Sequence, residues 1–128
     1  MVGGLEWIVE VEGCGSASLA GPAGLAALRG LFADLVVALD LHPVGDPVWH
    51  VFEGPGGVTG LVALSESHLA CHSYPEAGYL SLNLYTCRAR PAPDWRALLG
   101  ARLGACQVRV QSVPRGPRGP RARTETGA

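Results

Sequence analysis

Apolar and polar side chains alternate from Leu5 to Glu12. Leu5, Trp7, Val9 and Val11 fall on one parity and Glu6, Glu10 and Glu12 on the other, with Ile8 the one departure. A two-residue period is that of a strand with one face buried. Residues 13–18 break the pattern. From Leu19 the apolar positions recur at helical spacing (Leu25, Leu28, Leu31, Phe32, Leu35), which predicts a helix over residues 22–38, weakened slightly by Gly30. Strand-like runs follow at 48–52, 58–65, 68–73 and 79–86. A glycine-rich turn with Pro55 separates the first two, and a turn on Pro75 and Gly78 the last two. Asp94 stands as an N-cap before a helix at 95–103, and 107–113 alternates once more. This order predicts an α+β fold: a two-layer α/β sandwich, with a mainly antiparallel sheet and helices on one face. The bare face or an edge of so small a sheet is a natural surface for a homodimer.

At 128 residues and 48% hydrophobic content the chain suits one domain, placed at residues 1–113. Net charge is −1 but unevenly spread: residues 114–128 hold four Arg and one Glu, which leaves the body acidic. Proline, glycine and repelling arginines in PRGPRGPRAR predict a disordered basic tail over 114–128. The acidic body offers no footprint for nucleic acid. No run approaches the roughly 20 apolar residues of a membrane span, and the N-terminus lacks a basic signal-like start, so a cytoplasmic protein without a membrane partner is expected. Cys14, Cys71, Cys87 and Cys106 show no Cys-x-x-Cys spacing and are expected as free thiols, with no metal site. The chain contains no lysine. Pyridoxal phosphate therefore has no anchoring residue, and any electron sink must come from elsewhere.

Residues 64–79 concentrate three serines, two histidines, two glutamates and a cysteine in an otherwise apolar chain. Buried polar groups cost free energy unless partnered, so this density marks a site. Each residue also has an ordinary reading. His68 or His72 alone is more often structural, Glu76 after Pro75 is an ordinary turn acid, and Cys87 packs as a small apolar residue. Only the combination weighs against that.

The combination resembles the prokaryotic S-adenosylmethionine decarboxylase proenzymes. Their Glu-Ser-His appears as Glu66-Ser67-His68. Their His-Thr-(Trp/Tyr)-Pro-Glu-x-Gly-Tyr appears as His72-Ser73-Tyr74-Pro75-Glu76-Ala77-Gly78-Tyr79, and their Asp-x-(Phe/Tyr)-Thr-Cys-Gly as Asn83-Leu84-Tyr85-Thr86-Cys87-Arg88. Upstream, Gly57-Val58-Thr59-Gly60 stands for Gly-Val-Ser-Gly, and Gly13-Cys14 for the family's Gly-Cys, so the likeness spans residues 5–113. Asn83, Arg88, an extra residue before Thr59 and a reduced N-terminal lead depart from the pattern.

The resemblance implies a self-cleaving enzyme that converts S-adenosylmethionine to its decarboxylated form and CO2, for spermidine biosynthesis. Ser67 becomes a covalent pyruvoyl group and Glu66 the new C-terminus, giving chains 1–66 and 67–128. The pyruvoyl carbonyl takes the substrate amine as a Schiff base, with no metal and no pyridoxal phosphate. His72 is implied as the base in processing, Thr59 as a processing aid, and Cys87 as the proton donor to the substrate carbon. Tyr74 and Glu76 line the substrate pocket, and Phe52 offers an aromatic face for a purine. Two alternatives remain: the same chemistry on ornithine or arginine, or a non-catalytic regulatory homologue, against which the presence of Ser67, His72 and Cys87 argues.

Overall fold

The computed structural model describes residues 2–88, 90–104, 106–117 and 123–125. Strand β1 (Gly4–Glu12) buries Trp7, Val9 and Val11 and turns Glu6, Ile8, Glu10 and Glu12 to the opposite face, as the alternation requires. Helix α1 (Gly21–Ala38) starts with Pro22 in its first turn and buries Leu28, Leu31, Phe32 and Leu35. Each of these contributes roughly 1.5–3 kcal/mol by leaving water. By length and a mean hydropathy of 1.4 this helix is apolar enough to cross a membrane, which the sequence reading did not anticipate. Its apolar stripe is instead committed to the core.

Four strands follow: β2 (Val48–Val51), β3 (Val58–Leu64), β4 (Ser67–Tyr74) and β5 (Tyr79–Thr86). Helix α2 (Trp95–Leu103) begins at Asp94, whose carboxylate accepts from the Ala97 N–H at 3.1 Å. It packs beside α1, with Trp95 edge-on to Trp7 at 6.2 Å. Strands β6 (Gln107–Arg115) and β7 (Arg123–Glu125) complete a sheet of order β2-β3-β4-β5-β1-β6-β7, antiparallel at every junction. Both helices lie on one face. Among the described residues the other face carries no helix, and Leu61, His68, His72 and Tyr74 stand exposed on it. The sandwich is the one the sequence predicts.

Two expectations need correction. The expected tail boundary at 113 falls inside β6, which continues through Pro114 to Arg115. Within the segment read as disordered, Arg123–Glu125 pair with Val110, Gln111 and Ser112. An edge strand offers unpaired backbone groups, and even an arginine-rich segment can take them up. Residues 118–122 and 126–128 lie outside the described residues. The second correction concerns thiols: Cys14 and Cys106 form a disulfide, their Cα atoms 5.2 Å apart across 92 residues of sequence. Sequence spacing hid this, because β1 and β6 are neighbours only in the folded sheet. Cys71 and Cys87 are free.

Candidate active site

The register of β3 and β4 pairs Leu64 with Ser67, so Ser65 and Glu66 alone make the hairpin turn. Two-residue hairpins favour turns with positive φ, and neither residue has one. The turn is held from outside. The Ser65 N–H donates to the His42 carbonyl at 2.9 Å. The Arg88 guanidinium forks onto the Glu66 carboxylate, Nε to Oε2 at 2.7 Å and Nη2 to Oε1 at 2.9 Å. That hydrogen-bonded cation holds the Glu66 carboxyl below the usual carboxylate range. The Glu66–Ser67 peptide thus sits at a hairpin tip, with Glu66 exposed and Ser67 half-buried.

Cys87 belongs to the same end of the sheet, because Thr86, just before it, pairs with Ser67 across β4 and β5. Thr86 is almost wholly buried, and its hydroxyl donates to the Arg88 carbonyl at 3.2 Å, which fixes the path of the chain through Cys87. The other free thiol, Cys71, is sealed in the core, and burial pushes it up to about 12. It takes no part. Cys87 is half-buried.

The remaining candidates gather at the opposite end of β4. Thr59 and His72 are register partners, Oγ1 and Nδ1 3.0 Å apart on the open face. They border a cleft of about 310 Å³ lined by Phe52, Glu53, Pro55, Gly57, Ser73, Tyr74 and Glu76. Phe52 and Tyr74 present exposed aromatic faces, and Tyr74 stacks on Tyr79 at 5.5 Å. Gly78, at φ 61° in the turn between β4 and β5, lies so close to the Cys14 carbonyl that a Cβ would meet it at 2.9 Å.

The two groups do not meet within one chain. Ser67 and His72 lie five residues apart on β4, about 17 Å at roughly 3.4 Å per residue. An odd separation also turns their side chains to opposite faces. The structure therefore joins Ser67, Glu66 and Cys87 at one end, and Thr59, His72, Phe52, Tyr74 and Glu76 at the other.

Residues 5–116 match the S-adenosylmethionine decarboxylase family. The chain belongs to it. It is 34% identical over 114 residues to the S-adenosylmethionine decarboxylase proenzyme 2 of Halalkalibacterium halodurans, covering 88% of this chain and 86% of that protein. The S-adenosylmethionine decarboxylase proenzyme of Acetivibrio thermocellus is 34% identical over 118 residues, covering 88% of each. The crystal structure of the adenosylmethionine decarboxylase from Aquifex aeolicus superposes with a TM-score of 0.73 over 91% of this chain and 92% of that one, and its 24% identity speaks to the fold alone.

Three features of this family member escaped the sequence reading. Ser73 is buried, accepts from the Val58 N–H at 2.8 Å and donates to the Leu19 carbonyl at 2.7 Å, so it pins the cleft floor to the start of α1. Asn83, where the family pattern has Asp, bridges His68 and Glu6. His68 Nε2 donates to its Oδ1 at 3.0 Å, and its Nδ2 donates to Glu6 Oε2 at 2.5 Å. Arg115 closes that chain onto Glu6 Oε1 at 2.5 Å. The third is the partner of Arg88. Shared strand parity could have flagged the first two; no sequence signal pairs residues 66 and 88.

Proposed function

We propose that the chain cleaves itself between Glu66 and Ser67 and uses the resulting pyruvoyl group to release CO2 from S-adenosylmethionine, yielding the decarboxylated form that spermidine biosynthesis consumes. The observation that carries this reading is the Glu66–Ser67 peptide at a braced hairpin tip with the Cys87 segment beside it. Ser67 Oγ attacks the Glu66 carbonyl carbon, the C–N bond breaks, and an ester replaces the amide. Loss of the Ser67 α-proton to a base, the role given to His72, expels the Glu66 carboxylate and leaves dehydroalanine. Water then displaces ammonia, so one water enters and one ammonia leaves per cleavage.

The finished group supplies an electron sink that a chain without lysine cannot obtain from pyridoxal phosphate. The chain's own residues do the rest. Phe52 and Tyr74 wall the cleft with aromatic surface suited to adenine, and Glu53 and Glu76 place acids where a sulfonium charge is favoured. Cys87 delivers a proton to the substrate carbon.

The separation along β4 supports a homodimer with shared sites. A twofold axis through the open face near Ala70, midway along the strand, lays the hairpin end of one protomer on the cleft end of the other. His72 of the partner subunit then approaches the Glu66–Ser67 peptide from the open face, the side away from the Ser67 side chain. Leu61, 48% exposed beside Ala70, supplies apolar surface for such a contact.

Intact mass decides the first step. The purified protein should be two fragments, 1–66 and a pyruvoyl-capped 67–128, and Ser67→Ala should remain one chain of 13.3 kDa. A wild-type chain that stays whole after long incubation sinks the proposal. Carboxyl-labelled S-adenosylmethionine should release CO2 faster than labelled ornithine or arginine, and the reverse order would reassign the substrate.

A further inference from the structure

We infer that Arg88 is a positioning residue for self-cleavage: its guanidinium grips the side chain of Glu66, the residue whose carbonyl Ser67 must attack, and retains the new chain end afterwards. The inference rests on the self-processing reading above. Both carboxylate oxygens are engaged, at 2.7 and 2.9 Å, by two different guanidinium nitrogens. Such a planar fork fixes orientation as well as position, which a lysine ammonium does not.

The pair is exposed, with the Arg88 side chain 63% and the Glu66 side chain 42% accessible, and ion pairs of that kind add little to folding stability. Its location gives it another use. It ties the β3–β4 turn to the segment leaving β5, straddling the peptide to be cut. The anchor is stiff, since the Arg88 carbonyl is held by buried Thr86. On the other side of the turn, Ser65 is fixed through its backbone to His42. With residues 65 and 66 both tethered, the chief freedom left at the tip is rotation of the Glu66–Ser67 peptide, the motion that presents the carbonyl carbon to Ser67 Oγ. Holding reactants near 3–3.5 Å accounts for a large share of such rate enhancements.

Arg88 also draws the Glu66 carboxyl below the usual range, so the grip persists as the pH falls into the range where an ordinary glutamate takes up its proton. When the ester is eliminated, Glu66 gains an α-carboxylate. The side-chain fork then keeps that second negative charge beside the same cation. The family pattern has glycine at this position, so the device is a feature of this chain and not of the shared chemistry.

The test follows precursor made by cell-free translation in a pulse and chase, with cleavage read by mass and ester content by hydroxylamine, which cuts esters but not amides. Arg88→Gln should slow ester formation about ten- to a hundredfold without accumulating a hydroxylamine-sensitive species. Arg88→Lys should recover part of the rate, and the unfolding midpoint should stay near that of wild type. In a double-mutant cycle, Glu66→Gln on top of Arg88→Gln should add no further slowing. Wild-type speed in Arg88→Gln overturns the inference. So does multiplicative slowing in the double variant, or an absence of recovery by lysine. Should Arg88→Gln fail to fold, Glu66→Gln alone must show the slowing, and wild-type speed there overturns the inference equally. A wild-type precursor that never cleaves removes the self-processing reading as well, a result distinct from all of these.

Discussion

The two ends of β4 are built on different principles. At the hairpin end, backbone register and one ion pair hold a peptide bond in place, and the atoms proposed to react belong to Glu66, Ser67 and Cys87. At the cleft end, side chains make a container in which Thr59 and His72 touch at 3.0 Å beside aromatic and acidic walls. On the proposed reading one end breaks a bond in the chain and the other receives a molecule. A pleated strand about 17 Å long between them cannot fold back to unite the two. Chemistry that needs both ends therefore calls on a second copy, and the bare face that displays His72 and Tyr74 is the surface on which one would lie.

The strongest way to break this comparison is to disable a different end in each of two chains. Ser67→Ala and His72→Ala chains, co-expressed with distinguishable tags, should each be inactive alone. Paired, they make one complete site per mixed dimer, so random assortment should restore about a quarter of wild-type sites. Processing should appear only in the chain that keeps Ser67. No restoration, with mixed dimers shown to form, would return the whole site to a single protomer.

Cys87 offers a second, smaller lever, confined to the hairpin end. After CO2 leaves, the electrons can be protonated at the substrate carbon, which restores the enzyme, or on the protein's own group, which leaves an alanyl cap and ends that site's working life. A thiol beside Ser67 biases the choice, since it can give its proton to the substrate carbon and be reprotonated from water. Cys87→Ala should lower turnover roughly a hundredfold, within the range usual for a general acid, and should raise the alanyl-capped fraction per turnover by mass spectrometry. Normal turnover without added inactivation would make Cys87 a packing residue. Cys71→Ala should leave the partition unchanged, because its thiol is sealed in the core.

Local periodicity made most of the fold legible. The alternation in β1 and the helical spacing in α1 state which face is buried before any partner is known, and Asp94 marks the start of α2 correctly. What remained hidden depends on pairs distant in sequence. Cys14 and Cys106 meet only because β1 and β6 are neighbours, and the β7 pairing follows from a free edge and not from the composition of its residues. The site divided in the same way. Its candidate members were named from short motif segments along the chain, yet their separation into two ends emerges only from the strand register, which a motif written as a line of letters does not carry.

Ser73 yields the smallest effect and the finest distinction between the ends. It lies one residue beyond His72 on β4, but its parity sends it into the core, where the hydroxyl accepts from Val58 N–H and donates to the Leu19 carbonyl. Both partners are backbone groups, and removing the hydroxyl leaves a donor and an acceptor unpaired. An unsatisfied buried group of this kind costs about 1–3 kcal/mol, which in a domain of this size lowers the thermal midpoint by roughly 4–12 °C. Ser73→Ala should therefore loosen the cleft floor and raise KM for S-adenosylmethionine, while the rate of cleavage at Glu66–Ser67 stays near wild type, since nothing at the hairpin tip touches Ser73. Ser73→Thr keeps the hydroxyl and should recover both the midpoint and KM. Equal slowing of self-cleavage in Ser73→Ala, measured at a temperature where the variant is fully folded, would show that the two ends are mechanically coupled through β4 and that their separation is one of distance only.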